Sequence, residues 1–179
     1  MMPSGDRLAL ALEPADGSAL GVEWDEDVLR GLGAARQAAA GEAPRAWQLE
    51  REPDWERTSA LRLISAVFDD GALLGVAALR PRGAAGHDAD AVAALLVSAA
   101  GDVGRPHEAL LSTEYGPDGT ARRLGLELYE DSAGPPIRIV ADIVGEPHED
   151  TGAKRTALTL RMEGTPGTGL HELIPAAAP

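Results

Sequence analysis

Cysteine is absent from the 179 residues, and aromatic residues are scarce, with three Trp, two Tyr and one Phe. Without cysteine, the chain has no disulfide scaffold, thiolate zinc site or Cys nucleophile. With so few aromatic rings, the interior must consist of Leu, Val, Ile and many Ala side chains, each of which buries little area. The length is enough for one domain with an aliphatic core.

Positive charge is also in short supply, because 16 Lys and Arg residues stand against 29 Asp and Glu residues, for a net charge of −13. A chain of this charge repels phosphate, so we expect no binding to nucleic acid or to an anionic membrane surface. For the same reason we expect any ligand to be apolar or amphipathic, and uncharged or cationic.

Long hydrophobic runs are missing as well. The longest run, Ala91–Gly101, is too short to cross a bilayer. The first residues, MMPSGDRLALALEPADG, lack a basic segment followed by a long apolar one, so no signal peptide is expected. These features predict a soluble, cytoplasmic protein.

Motifs of nucleophilic, metal and phosphate chemistry are not found. No Ser lies in a G-x-S-x-G elbow, and the four His residues are each separated by at least 20 positions without metal-ligand spacing. The glycine-rich stretch Gly164–Gly169 contains Pro166 and is not followed by Lys, which indicates a turn and not a phosphate loop. We therefore expect no metal and no cofactor.

Glycine and proline clusters divide the chain into short apolar segments, which favours β structure. The clearest strand is Arg122–Glu130, where Leu124, Leu126 and Leu128 share one face that we predict to be buried. The turn sequence GPDG joins it to Ala109–Tyr115 and predicts a hairpin. Asp-Gly turns predict two more hairpins, formed by Leu61–Phe68 with Leu73–Leu79 and by Leu8–Leu12 with Leu20–Trp24.

Downstream, Ile137–Val144 and Thr156–Glu163 alternate in polarity and are predicted to be antiparallel strands, with Gly145–Lys154 as a charged loop between them. Asp90–Ala100 fits either a short helix or a buried strand, and the flanking hairpins favour the strand. An acidic first turn and a glycine stop predict a helix over residues 26–40. Gly41–Thr58 has no period and is predicted to be an irregular connector.

The predicted fold is therefore mainly β, an antiparallel barrel or sandwich with one N-terminal helix. We expect a single β-rich domain over residues 1–179, with a hairpin, helix and connector in residues 1–58 and a continuous β region in residues 59–174.

Two acidic residues bracket the glycine-rich turn. In a hairpin, Glu163 and Glu172 would approach each other closely enough to couple their protonation, and such a pair can host a general acid. The alternative is that both are solvated, with His171 as an exposed strand-end residue. Trp47 and Trp55 either pack the connector against the sheet or, together with Tyr129, line an apolar cavity as ligand-binding residues.

Four segments carry a resemblance to a known group, LRLISAVFDDGALLGVAALRPRG, LLSTEYGPDGTARRLGLELYED, PIRIVADIV and TLRMEGTPGTGLHELI. Their order resembles that of lipocalin-like proteins related to carotenoid hydratase and tocopherol cyclase, over about residues 61–174. The resemblance implies a β-barrel half that holds a terpenoid or lipid-like molecule. In the catalytic members a general acid acts in an apolar pocket, and Glu163, His171 and Glu172 match the closing motif by position.

Three functions follow as hypotheses. The first is a non-catalytic binding module for an apolar small molecule, and the second is an acid-catalysed hydratase or cyclase acting on a terpenoid or lipid. The third is an association module whose sheet edge or face pairs with a partner protein or with a second copy as a homodimer. A continuous apolar cavity would support the first two hypotheses, whereas a large apolar patch on the outside would support the third.

Overall fold

The computed structural model describes residues 7–12, 20–34 and 46–176. Strands and helices occupy the following ranges: β1 Arg7–Leu12, β2 Leu20–Asp25, α1 Glu26–Ala34, β3 Trp47–Leu49, β4 Thr58–Phe68, β5 Leu73–Pro81, a 3-10 turn His87–Ala89, β6 Ala91–Val97, β7 Val103–Gly104, β8 Glu108–Tyr115, β9 Ala121–Tyr129, β10 Ile137–Asp150, β11 Ala153–Met162 and β12 Thr165–Pro175. The described strands form two antiparallel sheets, a small one in the order β1-β2-β3 and a nine-stranded one in the order β7-β6-β5-β4-β12-β11-β10-β9-β8.

The nine-stranded sheet curls into a half-barrel. Cα atoms of β6 and β8, which lie near opposite ends of the sheet, come within 8 Å of each other although the two strands are not paired. The inner face is filled at one end by apolar side chains, among them Phe68, Leu74, Leu111, Leu126 and Leu160. The predicted fold class, a mainly β antiparallel barrel or sandwich with an N-terminal helix, is confirmed over the described residues, where the large sheet takes the form of a half-barrel.

The small sheet and α1 cover part of the outer face of the half-barrel. Trp24 of β2 is fully buried there, and its indole Nε1 donates a hydrogen bond to Ser65 Oγ of β4 over 3.1 Å. Gly75 of β5 makes room for the indole, because a Cβ at this position would lie 3.0 Å from Trp24 Cε2. The N-terminal hairpin therefore packs on the large sheet through the indole of Trp24, which fits against β5 at a glycine.

The predicted hairpins are confirmed. Strands β1 and β2, β4 and β5, and β8 and β9 pair antiparallel. Leu124, Leu126 and Leu128 are buried, whereas Arg123 is exposed. The favoured strand interpretation of Asp90–Ala100 is also confirmed by β6. The alternation of apolar and polar residues predicts these strands correctly because each strand has one face in the core and the other towards solvent or a second layer.

Two predictions need correction, and a third is tested only in part. The stretch predicted as a loop, Gly145–Lys154, is mostly strand, because β10 and β11 continue past a bulge between Val144 and His148 and pair as far as Asp150 and Ala153. The connector contains the short strand β3, which pairs with β2. The helix is described over Glu26–Ala34, and the rest of its predicted range, residues 35–40, lies outside the described residues.

The glycine-rich stretch Gly164–Gly169 is also different from its prediction. The chain reverses at Glu163 and Gly164 alone, with φ of 47° and 95°, and Met162 already pairs with Thr165. A two-residue turn of this kind needs positive φ at both positions, which Gly164 accepts without strain. The residues after Gly164 therefore extend β12 and do not form a six-residue loop.

Candidate functional site

A cavity of about 660 Å³ opens at one end of the half-barrel, where β4 begins and β12 ends. Its apolar wall consists of Leu124, Ile143 and Leu173. The tip of the β8–β9 hairpin and the bulge of β10 at Gly145, Glu146 and Pro147 form its rim. Since the opposite end of the half-barrel is filled by side chains, this is the end at which a small molecule could enter.

The floor of the cavity is polar, and its central group is Arg62 of β4, which is 5% exposed. Its Nη2 lies 2.6 Å from Asp90 Oδ2, and its Nη1 donates to Thr113 Oγ1 over 2.8 Å. Among the described residues its Nε has no hydrogen-bond partner although it is buried. The guanidinium therefore keeps one donor available inside the half-barrel.

Asp90 holds two arginines together at this floor. Its side chain is fully buried and also accepts hydrogen bonds from Arg80 Nε over 2.8 Å and Arg80 Nη2 over 3.0 Å. Burial raises the pKa of Asp90, but the hydrogen bonds from Arg80 and the charge of Arg62 outweigh this and hold that pKa below its usual value. Asp90 is therefore ionised at neutral pH and orients both guanidinium groups.

His87 and Tyr115 connect this cluster across the gap between β6 and β8. Arg80 Nη2 contacts His87 Nδ1, and His87 Nε2 contacts the Tyr115 hydroxyl, while the two rings stack with centroids 5.5 Å apart. Because a guanidinium can only donate, Nδ1 accepts and Nε2 carries the proton. Burial and the charges of Arg62 and Arg80 lower the pKa of His87, in agreement with this neutral tautomer.

His171 of β12 completes the floor. It is 8% exposed, and its Nε2 is buried without a hydrogen-bond partner among the described residues. Burial and the nearby charge of Arg62 lower the pKa of His171 to about 4. His171 and Arg62 therefore line the same cavity, and each has a buried nitrogen without a hydrogen-bond partner among the described residues.

His171 predicts a specific dependence of stability on pH. The unfolded chain binds a proton at His171 below pH 6.5, whereas the folded chain does so only below about pH 4. Stability should therefore decrease by about 3 kcal/mol as the pH falls between these two values. In urea unfolding at several pH values, His171→Phe should lose this part of the pH dependence. His107→Gln changes an exposed histidine and should keep the pH dependence of the wild type. Equal pH profiles for His171→Phe and the wild type would contradict the role given to His171.

Glu163 and Glu172 do not form the predicted pair. Glu163 is exposed at the two-residue turn, and its Oε1 accepts a hydrogen bond from the backbone N of Arg138 over 2.9 Å. Glu172 lies opposite Arg155, seven positions along β12 from the turn, which corresponds to about 23 Å of strand. Its side chain is on the outer face of the sheet and bonds to Arg155 Nε over 2.9 Å. Of the three predicted catalytic candidates, only His171 faces the cavity.

The predicted ligand-binding aromatic residues also lie elsewhere. Trp47, in β3 of the small sheet, and Trp55 pack against the core between that sheet and the outer face of the half-barrel, and neither is part of the cavity wall. Tyr129 is on the outer face of β9, where its hydroxyl donates to Glu127 Oε2 over 3.1 Å. The simpler interpretation, packing of the connector, therefore describes both Trp residues.

Comparison with solved structures finds a similar fold in kievitone hydratase from Nectria haematococca. The two structures superpose with a TM-score of 0.50 at 10% sequence identity, over 96% of this chain and 65% of that one. This chain therefore spans about two thirds of the length of that structure. No protein-family model and no curated protein matches the sequence. At this identity the similarity concerns the fold alone.

Sequence reasoning does not single out Arg62, Asp90 or Thr113, although one signal was present. Arg62 is the only charged residue between Leu61 and Phe68, a segment that is otherwise apolar apart from Ser65. A charge in a strand that is buried on both faces must be paired, so it points to a partner elsewhere in the chain. Which partner that is depends on the curvature of the sheet.

The described residues were also compared with the requirements of a metal site and of a membrane-spanning helix. No group of three or more His, Asp or Glu side chains in residues 7–12, 20–34 and 46–176 is arranged to hold a metal ion. None of the helices that the structure describes has the length and apolar character needed to cross a bilayer.

Proposed function

We propose that this protein binds a small amphipathic molecule in the cavity at the open end of the half-barrel, without catalysing a reaction on it. The observation that carries the proposal is the pair of buried, unpartnered nitrogens, Arg62 Nε and His171 Nε2, at the floor of one cavity. Leaving a buried donor unpaired costs about 1–3 kcal/mol, and a ligand oxygen would remove that cost. The apolar wall of Leu124, Ile143 and Leu173 suits the hydrocarbon part of such a ligand.

The alternative, acid catalysis on a terpenoid or lipid, needs a carboxyl group that stays protonated near the substrate. Among the described residues that line the cavity, the carboxylates are Asp118 and Glu146, both of them exposed at the rim. A hydrogen bond from the backbone of Thr120 lowers the pKa of Asp118. Neither carboxyl group is buried, as a carboxyl that stays protonated would be, so the lining of the cavity favours binding over acid catalysis. The hydratase activity of the structural neighbour belongs to that protein, and only the fold is shared.

The association hypothesis has weaker support. Leu110 and Val140 are exposed on the outer face of β8 and β10, at 47% and 44%. However, the ion pair of Arg138 with Glu127, 3.1 Å apart, lies beside them on the same face. Charged neighbours of this kind interrupt an apolar surface that would otherwise suit an interface core.

A fluorescent dye tests the binding proposal. The neutral apolar dye N-phenylnaphthylamine should bind saturably at one site per chain, with increased emission. Leu173 lies in the cavity wall between Lys154 and Arg62. Leu173→Trp replaces it with a larger side chain that fills part of the cavity, and this variant should bind the dye about tenfold more weakly or worse. Val103→Trp, at an exposed position away from the cavity, is the matched control and should bind as the wild type does. Absence of saturable binding, or equal affinity in Leu173→Trp, would refute the proposal.

A further inference from the structure

The floor of the cavity carries more positive than negative charge. Arg62 and Arg80 are both held by a single carboxylate, that of Asp90. Arg62 remains protonated at neutral pH because the guanidinium pKa is far above it. One positive charge at the floor is therefore not neutralised by Asp90, although the chain as a whole has a net charge of −13. The excess is shared by Arg62, which is 5% exposed, and Arg80, which is 24% exposed, and an anion placed beside the buried Arg62 would balance it.

Charges at the rim do not remove this excess. Arg122 pairs with Asp118 over 3.6 Å, and Lys154 pairs with Glu149 over 3.2 Å. Glu146 adds a negative charge at the outer edge, where it is exposed to solvent and therefore screened. The positive excess is thus confined to the water-poor floor, where electrostatic interactions are strongest.

Two nitrogens at this floor suit an oxyanion, because Arg62 Nε is a donor and His171 Nε2 is a donor in the imidazole tautomer protonated at that atom. Arg62 Nε and His171 Nε2 are both buried and unpartnered among the described residues. The two residues lie on the paired strands β4 and β12, where Arg62 is opposite Leu173 and His171 is opposite Ile64. Side chains at such diagonal positions on one face are within reach of each other. The charge of Arg62 acts on the pKa of His171, as expected for neighbouring groups.

We infer, building on the proposed binding function, that the ligand is a small amphipathic carboxylate. Its carboxylate accepts hydrogen bonds from Arg62 Nε and His171 Nε2, and its hydrocarbon part lies against Leu124, Ile143 and Leu173. This inference reverses the expectation from net charge, which predicted an uncharged or cationic ligand. An anionic ligand is expected here despite the negative net charge, because the nearest charged groups determine the electric field within a cavity. The more distant surface charges are screened by solvent and salt.

Three probes that share one ring system and differ in the charge of the attached group test this inference. Naphthoate, naphthylmethanol and naphthylmethylamine share one ring system and are anionic, neutral and cationic near neutral pH. Their affinities can be measured by calorimetry and by displacement of N-phenylnaphthylamine. Naphthoate should bind the wild type about tenfold more tightly than naphthylmethanol, and naphthylmethylamine should bind most weakly.

Two variants test whether the preference for naphthoate over naphthylmethanol comes from the floor of the cavity. Arg62→Met removes the charge and the free Nε, and should reduce the preference for naphthoate to about threefold or less. Arg123→Met removes an exposed arginine, paired with Asp142 on the outer face, and should leave the preference unchanged. Retained binding of the neutral dye by Arg62→Met shows that the variant is folded. If that variant does not fold, the comparison of the three probes on the wild type still decides the inference.

The outcomes separate the two proposals. Equal or tighter binding of naphthylmethanol or naphthylmethylamine would overturn the carboxylate inference, and so would an undiminished preference in a folded Arg62→Met variant. If the neutral dye binds and naphthoate does not, the inference fails while the proposed binding function stands. If the dye and the probes all fail to bind, the binding function itself fails.

Discussion

Replacing Asp90 with Asn should lower the free energy of unfolding by about 3–5 kcal/mol, because it leaves Arg62 and Arg80 together without a counter-charge. The Asp90 side chain is fully buried and Arg62 nearly so, so water cannot replace the lost charge. Urea unfolding monitored by circular dichroism would measure the loss. Asp88→Asn is the matched control, since Asp88 is exposed in the same short turn and should change stability by no more than about 0.5 kcal/mol.

The pH dependence of the Asp90 variant gives a second test. Because the pKa of Asp90 is lowered in the folded protein, its stabilising contribution is complete above the usual carboxyl pKa and is lost as the pH falls through the lowered value. Asp90→Asn should therefore differ most from the wild type at neutral pH and least in strong acid. A loss of less than about 1 kcal/mol at neutral pH would mean that the two guanidinium groups find other partners.

Glu172→Gln should cost about 3–5 kcal/mol as well, because Glu172 and Arg155 form an ion pair in which the side chains are 1% and 7% exposed. Glutamine keeps the shape of the side chain and removes only the charge, so the nearly buried guanidinium of Arg155 would lose the attraction of the carboxylate 2.9 Å away. Thermal and urea unfolding would both detect the change.

Glu163→Gln is the control for this second prediction. Glu163 is exposed at the turn, and a glutamine oxygen can still accept the hydrogen bond from the Arg138 backbone N, so stability should change by less than about 0.5 kcal/mol. Neither variant should alter binding of the dye in the cavity, because neither residue lines it. Unchanged stability in Glu172→Gln would contradict a structural role for the buried pair, and weakened dye binding would reopen a role in the site.

The two glutamates illustrate how a local pattern misleads about a site. They are close in sequence, and a loop of six residues would bring them together. The tight turn at Glu163 and Gly164 instead sends Glu172 far along the strand to Arg155. Turn type depends on which residues adopt positive φ, and a stretch with three glycines offers several solutions that sequence alone does not rank.

The three predicted hairpins and the buried face of β9 were determined by the sequence itself. The alternation of Leu124, Leu126 and Leu128 with polar neighbours is a local signal, because side chains on a strand point to opposite faces at every second residue. The cavity was decided only by the tertiary structure. Arg62 meets Asp90 across 28 positions and Thr113 across 51, and the curl of the sheet brings these strands together. Period and turn chemistry act over a few residues, whereas the partners of a buried charge depend on how strands far apart in the chain are arranged.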